Sequence, residues 1–311
     1  MSGDRVDRAT RHVHVSAPAG VVYAVLADAR KLPLYCSQVV HVERLESDGV
    51  RERVRMWSLM GGHVQSWISW RHLDPVERRL EFRQQLRSPL DSVRGVFRAR
   101  PEGPHDTRLE LRYGLDDMPD TEWVEQVGGV DSHGQLSELK SFAERWTRLD
   151  DLVLTFENTI RFKGPAELAY DFLYRAADWP EVVPHVARVG LTEEAPGVQR
   201  LSVERLTGNS SETTESVRIC FPHAGRIVHK QTANRLLAAH TGEWSVTPDE
   251  TGTTITSRRN VILREEHIAE VLGPGTSLED ARRHVRTTLG RESQALLALA
   301  KQHAQSAVRT L

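Results

Sequence analysis

Two short polar motifs, one in each half of the chain, hold the residues best suited to chemistry. Ser69 and Arg71 form the first motif, and Ser216 and Arg218 form the second with the same spacing. Strand alternation would place the serine and the arginine of each motif on one face. A guanidinium stays charged at neutral pH and presents a fork of N–H donors, which suits carbonyl or enolate oxygens. The alternative is an exposed strand face with a structural arginine, and recurrence in both halves favours an arginine that faces a cavity.

Further side chains could complete a pocket for a planar ligand around these motifs. The candidate binding residues are Tyr35, Trp57, Gln65 and Trp67 in the first half and Trp179, His185 and Thr214 in the second. Additional aromatic candidates are Trp70, Tyr113, Tyr170, Tyr174 and Trp244. Amphipathic aromatic rings often line such pockets, although core packing is the alternative for each of them. His185 could transfer protons near neutral pH, but a surface or loop histidine is the favoured interpretation.

The chain contains two copies of one sequence pattern. Residues 163–231 repeat residues 16–84 without a gap. Identical pairs include Pro18 and Pro165, Tyr23 and Tyr170, Ser69 and Ser216, Arg71 and Arg218, and Gln84 and Gln231. A repeat of this length indicates a duplicated domain rather than a solenoid, whose repeats are only tens of residues long. We therefore predict two domains, residues 1–150 and 151–311.

The order of elements in each copy predicts an α+β fold. A strand comes first, followed by two short helices near Pro18 or Pro165, with Ser16 as a possible helix cap. Several strands separated by turn residues follow, and a long amphipathic helix closes each copy. Ser277 and Asp280 resemble a capping box at the start of the second long helix. A curved antiparallel sheet wrapped around a long C-terminal helix is the helix-grip architecture, here in tandem.

Composition excludes several classes of function. The chain has 41 basic and 43 acidic residues and a net charge of −2, which argues against nucleic acid as a partner. No apolar run approaches the roughly 20 residues that span a bilayer, and the polar N-terminus does not resemble a signal peptide. The phosphate-binding glycine motifs and the nucleophile elbow are missing, and the His12 and His14 pair has no matching metal ligands. We expect a cytoplasmic protein that needs no metal or organic cofactor.

These features together resemble the two-domain aromatase/cyclases of bacterial type II polyketide synthases, which belong to the START/Bet v 1-like helix-grip superfamily. The resemblance is carried by the opening segment Ser16–Tyr23, by the segment Ala177–Pro180, and by the strand Ser66–Arg71 with Asp74 and Pro75 after it. It extends over nearly the whole chain. The order and duplication of these motifs are more specific than any one of them.

The resemblance implies roles for particular residues. The arginine that the family uses for catalysis and anchoring maps onto Arg71 and, through the repeat, onto Arg218. The pocket serine maps onto Ser69 and Ser216, and the pocket tryptophan onto Trp67. The second copy has Thr214 where the first has Trp67, and the first copy has Leu32 where the second has Trp179. The two pockets are therefore expected to differ, and one of them could bind without reacting.

The implied activity is closure and aromatisation of the first ring of a poly-β-ketone carried by an acyl carrier protein. Two-domain members resemble enzymes that act on chains already reduced at one carbonyl. Partners would be the carrier-bound polyketide and other synthase components, without nucleic acid or membrane, and the duplication suggests a monomer with pseudo-dimeric domains. The alternative is a non-catalytic START-like module that carries a lipid or a polyketide, because one fold serves both uses.

Overall fold

The structure, a computed structural model, describes residues 9–85, 93–115, 132–207, 210–232 and 234–309. The chain divides into two compact units, Met1–Leu149 and Asp150–Leu311. Each unit contains a seven-stranded antiparallel sheet and several helices. None of the described helices is long and apolar enough to cross a membrane.

The first unit begins with a strand that pairs with the last strand of the same sheet. The sheet order is β1-β7-β6-β5-β4-β3-β2. The strands are β1 at Ala9–Val15, β2 at Val39–Ser47, β3 at Arg51–Met60, β4 at His63–Asp74, β5 at Arg79–Gln85, β6 at Val93–Pro101 and β7 at Thr107–Leu115. Short polar turns join β2 to β3, β3 to β4, β4 to β5 and β6 to β7, so the predicted run of antiparallel strands is confirmed.

In the described part of the first unit, three helices cover the sheet: α1 at Ala19–Ala27, α2 at Leu32–Tyr35 and α3 at Ser132–Glu144. Pro18 occupies the N-cap of α1, where no side chain caps the helix. The prediction of Ser16 as a cap is therefore wrong. The backbone N–H of Ser16 instead donates to the Glu144 carboxylate at 2.8 Å, which connects the segment before α1 to the end of α3. Pro18 suits this position because proline lacks an N–H and has a fixed φ.

Apolar residues between these helices and the sheet form the core of the first unit. Val22 and Leu26 from α1 pack with Leu136 and Leu139 from α3, as the helical spacing predicted. The last aromatic residue of the predicted stripe, Trp146, lies beyond α3 in a short 3₁₀ turn and is 39% exposed. Side chains from strands β3 to β7 also border a cavity beside this core.

The second unit repeats this topology. Its sheet order is β8-β14-β13-β12-β11-β10-β9. The strands are β8 at Val153–Phe162, β9 at Val186–Ala195, β10 at Val198–Thr207, β11 at Ser210–Phe221, β12 at Arg226–Gln231, β13 at Leu237–Asp249 and β14 at Gly252–Leu263. The helices are α4 at Leu149–Leu152, which spans the boundary between the units, α5 at Ala166–Tyr174, α6 at Trp179–Val182, α7 at Ile268–Leu272 and α8 at Leu278–Arg309.

The long helix α8 packs against α5 and β8. It begins as predicted, because Ser277 Oγ accepts the Asp280 N–H at 3.1 Å and donates to the Asp280 carboxylate at 2.7 Å. Its buried face contains the apolar residues expected from the sequence, including Ala281, Val285 and Leu296. One fully buried polar residue, Ser293, interrupts that face.

Candidate functional site

A cavity opens in the first unit between the sheet and helices α1, α2 and α3. Its space, including the mouth that meets solvent, is about 1090 Å³. Most of the lining is apolar, with contributions from Leu26, Met56, Phe82, Phe97 and Leu111. The polar lining residues that the sequence did not single out are Gln38, Ser58, Gln84 and Gln135. Concave, mostly apolar sites with a few polar groups are typical of small-molecule binding.

Strand β4 supplies the predicted reactive side of this cavity. Trp67, Ser69 and Arg71 all line it, as their alternation along the strand predicted. Ser69 and Arg71 are nearly excluded from solvent. On the opposite face of the strand, Trp70 is 40% exposed. The sequence pattern therefore identified the inward face of β4 correctly.

The Arg71 guanidinium is held from two sides. Nη1 donates to the Glu52 carboxylate and to the Ala27 carbonyl at 3.3 Å, and Nη2 donates to the Leu26 carbonyl. These two carbonyls lie at the C-terminus of α1, where the helix dipole favours a positive charge. Burial lowers the pKa of Arg71, and the Glu52 charge opposes that shift. The described partners of Arg71 use three of its five N–H groups, which leaves donors for a ligand.

Glu52 is a partner of Arg71 that the sequence patterns did not indicate. It lies on β3 directly opposite Arg71, and its side chain is only 1% exposed. Its second oxygen meets Arg44 Nε at 3.1 Å. A signal was present in the sequence, because Glu52 lies on the same face of β3 as the buried Val54 and Met56. Recognising it required the pairing register of β3 with β4.

Tyr35 lines the cavity but is not free to titrate. Its hydroxyl donates to the Val25 carbonyl at 3.2 Å, and its ring stacks on Phe142 with centroids 5.0 Å apart. Burial strongly raises the pKa of Tyr35. The residue is therefore fixed as a wall of the cavity.

Two predicted binding residues of the first unit lie outside the cavity lining. Gln65 shares the face of Arg71 but sits near the start of β4, where it is exposed. Trp57 is buried against His41, with ring centroids 5.4 Å apart. It points away from the cavity because its neighbours Met56 and Ser58 on β3 face inward. The strand period thus separates Trp57 from the residues that line the site.

Arg218 occupies the position in the second unit that Arg71 holds in the first. It is completely buried, and Nη2 donates to the Leu173 carbonyl at the end of α5. Its guanidinium carbon lies 5.8 Å from the ring centre of Trp179 and 5.7 Å from that of Trp244. Burial lowers the pKa of Arg218. The predicted inward direction of both arginines agrees with their burial.

The other predicted residues of the second unit differ in their surroundings. Trp179 is buried, and its Nε1–H donates to the Phe172 carbonyl at 3.1 Å. Ser216 is half-buried on β11, two residues before Arg218. Thr214 is also half-buried, and its hydroxyl accepts from Arg205 at 3.1 Å. His185 lies in an exposed turn with a φ of 67°, as the surface interpretation expected.

The fold and the cavity define a tandem helix-grip protein, in which each domain places an arginine between an antiparallel sheet and its helices. A sequence model of the family described as "Polyketide cyclase / dehydrase and lipid transport" matches residues 7–144 and residues 153–304. The chain belongs to this family. Its resemblance to two-domain aromatase/cyclases, its α+β helix-grip fold and its assignment as a cyclase/dehydratase enzyme are confirmed.

Named relatives extend over almost the entire chain. The granaticin polyketide synthase bifunctional cyclase/dehydratase of Streptomyces violaceoruber is 35% identical over 97% of this chain and 95% of its own length. The actinorhodin polyketide synthase bifunctional cyclase/dehydratase of Streptomyces coelicolor is 35% identical over 96% of both chains. The crystal structure of the di-domain ARO/CYC BexL has a TM-score of 0.87 and 36% identity, covering 96% of this chain and 98% of BexL.

Proposed function

We propose that the cavity of the first domain folds a poly-β-ketone bound to an acyl carrier protein and reduced at one carbonyl. There it would catalyse cyclisation and dehydration of the first ring to an aromatic product. The observation that carries this proposal is the placement of Trp67, Ser69 and Arg71 together on the cavity wall. The relatives described as cyclase/dehydratases support the reaction class.

The lining of the cavity suits such a substrate. Apolar walls accommodate the carbon chain, whereas the glutamine and serine side chains of the lining can hydrogen-bond its carbonyl oxygens. The open mouth lets the substrate stay attached to its carrier during the reaction.

The proposed chemistry needs a charge-stabilising group more than a cofactor. A methylene carbon between two carbonyls loses a proton and attacks a distant carbonyl carbon, and the carbonyl oxygen gains a proton as the new C–C bond forms. Water is then lost twice, once as that hydroxyl and once as the hydroxyl of the reduced carbonyl, each together with a neighbouring C–H proton. Enolisation of the remaining ring carbonyl completes the aromatic ring. Arg71 stabilises the enolate and the alkoxide, and the cavity brings the two carbons together.

Proton transfer is assigned to water held by Ser69. The described residues that line the cavity include no histidine and no carboxylate. Tyr35 donates its hydroxyl to Val25 and has a raised pKa, so it is a poor acid at neutral pH. Ser69 lies two residues from Arg71 on the same face and can orient a water molecule beside the enolate.

We further infer that the protein works in the cytoplasm as a monomer, beside other synthase components. The net charge of −2 gives no basis for attraction to nucleic acid. The second serine and arginine pair, Ser216 and Arg218, belongs to the same proposal as a candidate for a second site. Light scattering of the purified protein would check the monomer.

Substitution of Arg71 tests the function directly. In a reconstituted synthase, we expect Arg71→Leu to lower the yield of correctly cyclised product by about 10²- to 10³-fold, because removal of one oxyanion donor typically costs that much. Misfolded shunt products should replace it. Arg71→Lys keeps the charge without the planar fork and should retain only part of the activity. Product analysis by mass spectrometry and NMR gives the ring pattern.

Gln65→Leu is the matched control, because Gln65 lies on the same strand but outside the cavity. It should leave the product pattern unchanged, and all variants should melt cooperatively if they are folded. Normal ring closure by folded Arg71→Leu protein would contradict the assignment. A protein that changes product yield but not ring pattern would instead be a carrier.

A further inference from the structure

The interior of the second domain contains a polar cluster centred on Arg259. Its Nε donates to Ser293 Oγ at 3.3 Å, and its Nη1 meets the Nε2 atoms of His240 at 3.0 Å and His229 at 3.4 Å. All four residues are at least nine-tenths buried. The ring of His229 stacks on Trp244 with centroids 4.4 Å apart. The sequence analysis did not indicate Arg259, Ser293 or either histidine.

The strand registers show that this cluster occupies the positions in the second domain that line the cavity in the first domain. Phe82 faces Gly95 and Gly95 faces Tyr113 in the first sheet, just as His229 faces Gly242 and Gly242 faces Arg259 in the second. The residues His229, His240, Trp244 and Arg259 therefore correspond, in that order, to Phe82, Val93, Phe97 and Tyr113. All four of the latter line the first cavity. The second domain thus has polar groups where the first has an apolar wall.

The second interior contains two buried arginines, Arg218 and Arg259, and the carboxylate charge that acts on Arg259, that of Glu292, lies beyond ion-pair distance. Arg218 and Arg259 both lie 5.7 Å from the ring centre of Trp244. Neither forms an ion pair with a carboxylate among the residues that the structure describes. The residue opposite Arg218 on the neighbouring strand is Gln199, where Arg71 has Glu52. A buried charge without a partner is costly, so this interior favours an anionic ligand.

The same interior has a surplus of hydrogen-bond donors. Because guanidinium can only donate, the Nε2 atoms of both histidines must accept from Arg259, which puts their protons on Nδ1. The His240 proton is directed at Gln231 Oε1, 2.7 Å away. The buried atoms around Arg218 and His229 that lack a partner in the described part of the chain include Arg218 Nε and Nη1, Gln199 Nε2, Tyr170 Oη, His229 Nδ1 and Trp244 Nε1. Each of them can donate a hydrogen bond, so a ligand rich in acceptor oxygens would satisfy them.

We propose that the second domain holds a separate binding site for the enolate of a β-dicarbonyl chain, with Arg218 beside the anionic oxygen and His229 and Trp244 as donors. The substrate class rests on the proposed function, whereas the site rests on the charge and donors of this domain alone. Binding converts a neutral dicarbonyl into its enolate by loss of one methylene proton to the buffer. No other bond changes.

Pentane-2,4-dione is a suitable probe, because its enolate absorbs at longer wavelength than its neutral forms. The full-length Arg71→Leu protein should be used, so that the first cavity lacks its guanidinium. We expect this protein to produce a saturable enolate band at neutral pH. Pentan-2-one, with one carbonyl, should give no band, and butanoate tests whether any carboxylate binds equally well.

Two substitutions then locate the site. His229→Phe copies Phe82 of the first domain, so it should fold, and loss of one donor should weaken dione binding about tenfold. Gln199→Glu places a carboxylate opposite Arg218, as Glu52 stands opposite Arg71, and should abolish the band. Gln302→Glu makes the same chemical change at an exposed position of α8 and should have no effect.

An indole NMR signal gives a second readout. In ¹⁵N-tryptophan protein, the Trp244 Nε1–H resonance, assigned with Trp244→Phe, should move downfield when the dione binds, and that of exposed Trp146 should not move. The proposal is overturned by a silent Trp244 signal without an enolate band, by a band that survives both substitutions, or by butanoate binding alone. None of these results depends on the product pattern of the Arg71 variant, so the two proposals fail separately.

Discussion

Arg71 and Arg218 are equivalent in sequence, but their neighbours give them different properties. Each donates to carbonyls at the end of a short helix, at Leu26 and Leu173 respectively. Arg71 has Glu52 across the strand pair, whereas Arg218 has the neutral Gln199. The first guanidinium is thus neutralised within the protein, and the second is left to be neutralised by a ligand.

Glu52→Gln should make the first domain markedly less stable. The change leaves Arg71 and Arg44 without their shared carboxylate, and breaking a buried ion pair typically costs about 3–5 kcal/mol of unfolding free energy. Chemical denaturation measures the loss. Glu46→Gln is the control, because Glu46 pairs with Arg53 at a largely exposed position and should cost under about 1 kcal/mol. Equal effects of the two substitutions would contradict the role of Glu52.

At the scale of elements, a pair of neighbouring strands in each domain brings a ring against a glycine. An added Cβ at Gly95 would lie 2.3 Å from Phe82, and one at Gly242 would lie 2.4 Å from His229. Backbone conformation does not require glycine at either position, since neither residue has a positive φ. Both are needed for space, because the ring lies directly over the backbone of the next strand.

Gly242→Ala should therefore destabilise the protein by about 1–3 kcal/mol, the usual cost of overpacking. The second substitution His229→Ala should relieve much of that cost, since it removes the ring that the new methyl group meets. Gly190→Ala, where the nearest atom to an added Cβ is 3.7 Å away, is the matched control. Additive losses for Gly242→Ala and His229→Ala in denaturation experiments would argue against direct contact.

Much of this organisation could be predicted from local sequence patterns. The period of two along β4 identified the inward face of Ser69 and Arg71, and the repeat gave the order of elements in both domains. Glu52 and Arg259 could not be found that way, because each becomes significant only through its partner on another strand. Gln65 was placed on the right face, yet the length of β4 carries it beyond the cavity. The capping prediction for Ser16 failed because α1 begins two residues later, with Pro18 at the N-cap.

At the scale of the whole molecule, the two interiors should respond differently to acid. The described wall of the first cavity has Phe82 and Val93 where the second domain buries His229 and His240. Burial, together with the charges of Arg259 and Arg205, lowers the pKa of His240 to about 3. Burial, Arg259, His240 and Arg218 likewise lower the pKa of His229.

Acid should thus reduce the stability of the second domain. In the unfolded chain, His240 binds a proton below its usual pKa of about 6.5, whereas in the folded domain it stays neutral until the pH approaches 3. The unfolding free energy is therefore highest above pH 6.5 and decreases as the pH falls towards 3. At pH 5 the loss from His240 amounts to about 2 kcal/mol. Urea unfolding at pH 7 and pH 5 measures it. His240→Val, which copies Val93, should reduce the difference, whereas His284→Val at an exposed position should not; identical pH dependence in all three proteins would refute the prediction.

The pairing of β1 with β7 has a consequence for biosynthesis. The first strand of the leading domain, Ala9–Val15, pairs with the distant strand Thr107–Leu115. A ribosome that adds about 5–20 residues per second needs roughly 5–20 s to make the intervening chain. During that interval the nascent strand has an exposed edge and nothing to pair with, and the same delay recurs for β8 and β14. Chaperones that shield newly made strands should therefore have a long opportunity to act on this protein, twice in each round of translation.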